Sequence, residues 1–166
     1  MEIEATLTDE KDQEVAFRSR PPVPAGGFMH RMALTLTVDC ADVIQAVKAQ
    51  TQQAPWPMCG GVDIAYRGLI GLRIGAGFTL NVRKLLGGIK GCTHLTELLF
   101  QAANAYMQAS WPDRVARQVA VDPDPRHWPD KTALSFVNQC HAWSLDGQTM
   151  AQEYPELVPP TVRGGS

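Results

Sequence analysis

The sequence lacks a basic stripe, an apolar run of membrane-spanning length and a secretory leader, and each absence removes a class of function. Its 15 Lys and Arg are scattered against 17 Asp and Glu, for a net charge of −2, so a phosphate-backbone partner is not expected. No apolar stretch approaches the ~20 residues that a membrane span needs. The amino terminus, MEIEATLTDEKDQEV, is acidic and alternating, whereas a secretory signal joins a basic region to an apolar run. These features predict a cytoplasmic protein with no nucleic-acid and no membrane partner. Cysteine is also scarce. In a reducing compartment Cys40, Cys59, Cys92 and Cys140 read as core thiols, ligands or nucleophiles, not as a disulfide framework.

Nucleotide and hydrolase signatures are missing too. There is no phosphate-binding loop and no GxSxG elbow, and the glycines of RIGAGF (73–78) lack the spacing of a dinucleotide fingerprint. Kinase, dehydrogenase and serine-hydrolase chemistry is therefore disfavoured. There is no internal repeat. At 166 residues the chain is long enough for one sizeable core, and a single domain is expected.

Several elements are legible from periodicity. Ile3, Ala5 and Leu7 alternate with polar residues, and the alternation resumes at Val15 and Phe17 after the turn DEKD, which predicts a hairpin. MHRMALTLTV (29–38) puts His30, Met32, Leu34, Leu36 and Val38 on one face of a strand, with His30 near its end on the buried side. Asp39 and Asp42 then resemble a capping arrangement for a helix over 42–54, with Val43, Ala46, Val47, Gln50 and Ala54 at helical spacing. The glycine-punctuated segment 63–86 fits short helices or strands equally.

From residue 94 the pattern is a helix over 94–108, with Leu95, Leu98, Leu99, Ala102 and Tyr106 on one stripe and Thr93 as its N-cap. The proline-broken stretch 110–130 reads as a connection. A third helix is expected over 131–145, ended by Gly147, and 151–166 as a flexible tail.

The residue types that carry chemistry cluster around glycines and prolines. Cys59 lies on the proline-framed turn APWPMCGG, and Cys92 and His94 open a helix after Gly87, Gly88 and Gly91. A helix N-terminus stabilises a thiolate through its free N–H groups. Thiolate and imidazole together select zinc or iron. A catalytic metal would take three protein ligands, Cys59, Cys92 and either His94 or Cys140, with His30 or His141 moving a proton, as in a metal-dependent hydrolase or lyase. The metal-free alternative makes Cys92 a nucleophile for acyl or thioester transfer, paired with His94 or His141. A third reading is a non-enzymatic carrier. Cys40 reads as a core thiol beside Val38, and His127 as an exposed residue.

PWPMC (55–59), CTHLTEL (92–98) and GFMHRM (27–32) resemble the bacterial family known as domain of unknown function 2889, over roughly residues 1 to 145. The resemblance maps the family's histidine onto His30, its first cysteine onto Cys59 and its Cys-Thr-His onto Cys92, Thr93 and His94. Gly91 stands where Asn is common, and Gly60 where Pro is common. The resemblance implies membership and no activity. The spacing of Cys59, Cys92, Cys140 and His141 is also similar to the layout of U-type iron–sulfur scaffold proteins, which implies a metal or cluster.

The expectation is an α+β single domain, an antiparallel sheet with helices packed on one face, bearing a Cys/His site. That site would bind zinc, iron or an iron–sulfur group and act on a small-molecule substrate or carry the metal itself.

Overall fold

The structure, a computed structural model, describes residues 1–129 and 131–159. It is an α+β fold built on a three-stranded antiparallel sheet of order β1-β2-β3. The strands are β1 (Glu2–Glu10), β2 (Phe28–Val38) and β3 (Ile44–Gln53). A 3-10 run, Pro57–Leu69, leads to helix α1 (Phe78–Leu86), and α2 (Thr93–Val121) and α3 (Gln148–Glu153) follow. The chain divides into two compact units, the first Met1–Gln108 and the second beginning at Ala109.

In the first unit the period-2 pattern of β2 does what its sequence predicts: Met32, Leu34, Leu36 and Val38 are all buried. Ile3, Ala5 and Leu7 lie opposite Leu36, Leu34 and Met32, so β1 extends the same apolar face. That face joins one core with Tyr66 and Leu69 of the 3-10 run, Phe78, Val82 and Leu86 of α1, and Leu95, Leu98, Leu99, Ala102 and Tyr106 of α2. The stripe expected on the 94–108 helix is the buried stripe. Burying each such side chain stabilises the fold by about 1.5–3 kcal/mol before chain entropy is counted.

Up to Val121 three elements differ from the sequence expectation. First, β1 does not form a hairpin with residues 15–17. It pairs with β2 across a long excursion, in which Val15 makes only an isolated bridge to Val23. The pairing that buries most of the apolar face is the one with β2, whose alternation is longer.

Second, 42–54 is not a helix but β3. Val38 pairs with Ile44 and Leu36 with Val47, because a register shift between Thr37 and Val38 leaves Gln45 as an extra residue. The bulge puts Ile44 and Val47, three apart, on the face toward the core and so interrupts the alternation that marks a strand. Asp39 caps a turn, not a helix: its Oδ1 accepts from the N–H groups of Ala41 at 2.8 Å and Val43 at 2.9 Å. Asp42 takes a positive φ of 68°, and the buried Tyr106 hydroxyl donates to its Oδ1 at 2.8 Å and to the Asp39 carbonyl at 3.1 Å. Aspartate suits both roles, so the sequence signal was ambiguous. Cys40, on this turn, is exposed and not a core thiol.

Third, the connection expected over 110–130 is helical up to Val121, with Pro112 inside α2. A proline removes one helical hydrogen bond, here the one that would end on the Gln108 carbonyl, and disfavours the helix by about 3 kcal/mol without forbidding it. Ser110 and Arg114 on either side are buried, and Arg114 Nε donates to Ser110 Oγ at 3.1 Å.

In the second unit the helix expected over 131–145 is replaced by short 3-10 turns, Lys131–Leu134 and His141–Trp143. Asn138 breaks it: its φ is 57°, its Oδ1 accepts from the Leu145 N–H at 2.9 Å, and its own N–H donates to the Trp143 carbonyl at 2.8 Å. The aromatic rings of Trp111, Phe136, Trp143 and Tyr154 pack together, with Phe136 and Trp143 centroids 4.5 Å apart. Gly147 ends no helix and instead precedes α3. Of the stretch expected as a tail, 151–159 contains the end of α3 and the buried Val158. Residues 160–166 lie outside the described residues.

Candidate functional site

The apolar face of the sheet ends in polar residues. Asp9 and His30 are cross-strand partners two residues beyond Leu7 and Met32, on the same face. Their side chains meet, His30 Nδ1 lying 2.9 Å from Asp9 Oδ2. A carboxylate only accepts, so Nδ1 carries the proton in this contact and Nε2 is the nitrogen left for other work. Lys11 pairs with the other Asp9 oxygen at 2.6 Å. These bonds, Lys11 first and His30 second, hold the Asp9 carboxyl below the usual carboxylate range.

Helix α2 brings its first turn to the same place. The His94 ring stacks on His30, with centroids 4.0 Å apart and planes inclined by 33°. Cys92 Sγ is 4.0 Å from His94 Nδ1. The polar residues therefore form a chain from Asp9 through His30 and His94 to Cys92. Burial, and then the neighbouring His30, push the His94 pKa below its ordinary value of 6.5, while Asp9 opposes the shift. A neutral His94 can accept the thiol proton, which a charged one cannot.

Tyr66 fixes the position of Cys92. Its buried hydroxyl donates to the Cys92 carbonyl at 2.9 Å, accepts from the Cys92 N–H at 3.2 Å and lies 2.8 Å from Thr96 Oγ1. Desolvation raises the pKa of this phenol, so it stays protonated as a donor. The Cys92 carbonyl also accepts the first helical bond, from Thr96 N at 2.9 Å. Cys92, and not Thr93 as expected, therefore occupies the capping position, at the positive end of the helix dipole.

Of the residues singled out from sequence, His30, Cys92 and His94 converge. Cys59 sits half-buried in the 3-10 run, where its N–H donates to the Trp56 carbonyl at 3.1 Å. That run is tied to β3 by Asp63, whose carboxylate accepts from Thr51 N and Thr51 Oγ1, both at 2.7 Å. Cys140 and His141 fall in the second unit and are exposed. Among the described residues, no group of three or more His, Cys, Asp or Glu is arranged to hold a metal ion, and no helix is long and apolar enough to cross a membrane.

Sequence reasoning missed Asp9 and Tyr66. Asp9 had a signal, since it continues the phase of Ile3, Ala5 and Leu7 and so places a carboxylate on the core face. Tyr66 had none, lying in the segment whose period was undecided.

No curated protein and no solved structure matches the chain, so the layout likeness to iron–sulfur scaffolds gains no support from any shared fold. A family model described as "Protein of unknown function (DUF2889)" matches residues 1–108, the same span as the first compact unit and shorter than the 1–145 expected from motifs. The residues that converge at the end of the sheet all lie within that match, and the chain belongs to the DUF2889 family.

Proposed function

We propose that the Asp9–His30–His94–Cys92 chain is the working site, and that it transfers an acyl group from a small ester or thioester through Cys92. The observation that carries this reading is the His94 ring placed between an Asp-oriented imidazole and a thiol at a helix N-terminus. In the first half-reaction His94 takes the thiol proton and Sγ bonds to the acyl carbon. The bond to the leaving group breaks, and the proton passes from His94 to that group. In the second, water or an acceptor nucleophile gives its proton to His94 and attacks the thioester, and Cys92 regains the proton. The N–H groups at the start of α2 offer donors to the oxyanion. A reducing cytoplasm would keep the thiol free.

The second reading is a zinc or iron site at the same place. It is favoured by the Asp9 contact to His30 Nδ1, because an outer carboxylate commonly orients a metal-binding imidazole. His30, His94 and Cys92 would then be donors.

One experiment separates the two. Protein purified without a metal-affinity tag is analysed for zinc and iron, then incubated with an activated ester and examined by mass spectrometry. An acyl adduct on Cys92, absent from Cys92→Ser and slowed at least about 100-fold in His94→Ala, supports acyl transfer. Stoichiometric metal that vanishes in His30→Ala and Cys92→Ser, with no adduct, supports the metal site instead.

A further inference from the structure

Between Asp63 and Glu97 the sequence contains no acidic residue, while it contains Arg67, Arg73, Arg83, Lys84 and Lys90. All 17 acidic residues of a chain of net charge −2 lie outside this stretch. The stretch also exposes large apolar side chains. On α1, Phe78, Val82 and Leu86 face the core, whereas Leu80 is 57% and Leu85 42% exposed. In the turn that follows, Ile89 is 100% exposed.

This exposure is built into the turn. Its backbone lies against the end of α1 so closely that a Cβ at Gly87 would collide with the Arg83 carbonyl oxygen, and one at Gly91 with that of Leu86. Lys90 Nζ donates to the Lys84 carbonyl at 3.3 Å, which brings a third cation beside Arg83 and Lys84. Glycine at both ends thus presses the turn onto the helix and leaves its one large apolar residue in water.

Glu97 of α2 lines the same surface pocket as Arg83, whereas Leu80 and Ile89, held out in the segment that carries Lys84 and Lys90, fit a surface that is anionic outside and apolar beneath. We propose that α1 and the turn 87–91 dock on an anionic lipid bilayer, Ile89 entering the interface with Leu80 while Lys84 and Lys90 lie on the headgroup phosphates. Docking of this kind needs no membrane span. An acidic protein would satisfy the cations equally, but a wholly exposed Ile89 on a projecting turn suits a deformable apolar layer that closes around it. Nothing in this inference depends on chemistry at Cys92, so it stands or falls apart from the acyl-transfer reading.

The test is co-sedimentation of the full chain with vesicles of phosphatidylcholine alone and of phosphatidylcholine mixed with phosphatidylserine, at low and high salt. The protein is expected to sediment with the mixed vesicles only, and less at high salt. Ile89→Asp should weaken binding by about tenfold or more, and Lys84→Glu with Lys90→Glu by about twentyfold or more. These positions are exposed, and unchanged thermal melts would confirm that the variants fold. Binding to mixed vesicles that Ile89→Asp leaves intact would overturn insertion. Absence of vesicle binding, whether or not soluble polyglutamate is bound, would overturn the lipid assignment.

Discussion

The imidazoles of His30 and His94 stack with centroids 4.0 Å apart and planes inclined by 33°, and of the two it is His30 that has a carboxylate on its ring nitrogen. Burial first, and the neighbouring His30 second, push the His94 pKa below its ordinary value, which favours the neutral ring.

That asymmetry gives a pH dependence. His94 has a folded pKa below its unfolded value of 6.5, so the unfolded chain binds the proton first as pH falls. Its contribution to stability is complete above about pH 6.5 and is lost as pH drops through the lower folded value. Melting temperature should decline over this mildly acidic window, and His94→Gln should flatten the decline. An unchanged slope in the variant would place the titration elsewhere.

Asp9 acts lower on the scale. Its folded pKa lies below 3.8, so its contribution is present above about pH 3.9 and lost as pH falls through the folded value. Asp9→Asn should remove that second, more acidic loss. Because the pair is partly solvated, the variant should lose less than about 1 kcal/mol at neutral pH. If His30 orients His94, alkylation of Cys92 should slow in Asp9→Asn while alkylation of exposed Cys40 does not.

Tyr66→Phe removes a buried hydroxyl and leaves the Cys92 N–H and Thr96 Oγ1 without it. Urea unfolding should show a loss of about 1–3 kcal/mol. The same variant should change the Cys92 alkylation rate, since the thiol's backbone is no longer held on both sides. A variant as stable as the parent would mean that water replaces the phenol.

Asp63→Ala removes two bonds to Thr51 and with them the tie between the 3-10 run and β3. A loss of about 1–3 kcal/mol is expected. Hydrogen exchange should quicken at the Thr51 amide more than at amides in the middle of β2.

How much of this was legible follows from where each signal resides. β2 and the first half of α2 were readable because their apolar residues recur at one uninterrupted period, and a buried face depends on little else. β3 has no such uninterrupted period, because the bulged Gln45 shifts its phase. The prolines of 110–130 disfavour a helix locally, whereas the burial of Ser110 and Arg114 that accompanies the continuation of α2 past Pro112 is not visible in the local pattern.

The site divides in the same way. That Cys92 and His94 open a helix, and that His30 ends a strand on its buried side, were properties of the sequence alone, because a helix start and a strand face are set by neighbours within a few residues. That His30 and His94 stack, that Asp9 holds one of them, and that Tyr66 grips Cys92 from 26 residues away were decided only by tertiary structure. Those contacts depend on which strand β1 chooses and on how α2 crosses the sheet, choices governed by the total apolar area buried and not by any local pattern.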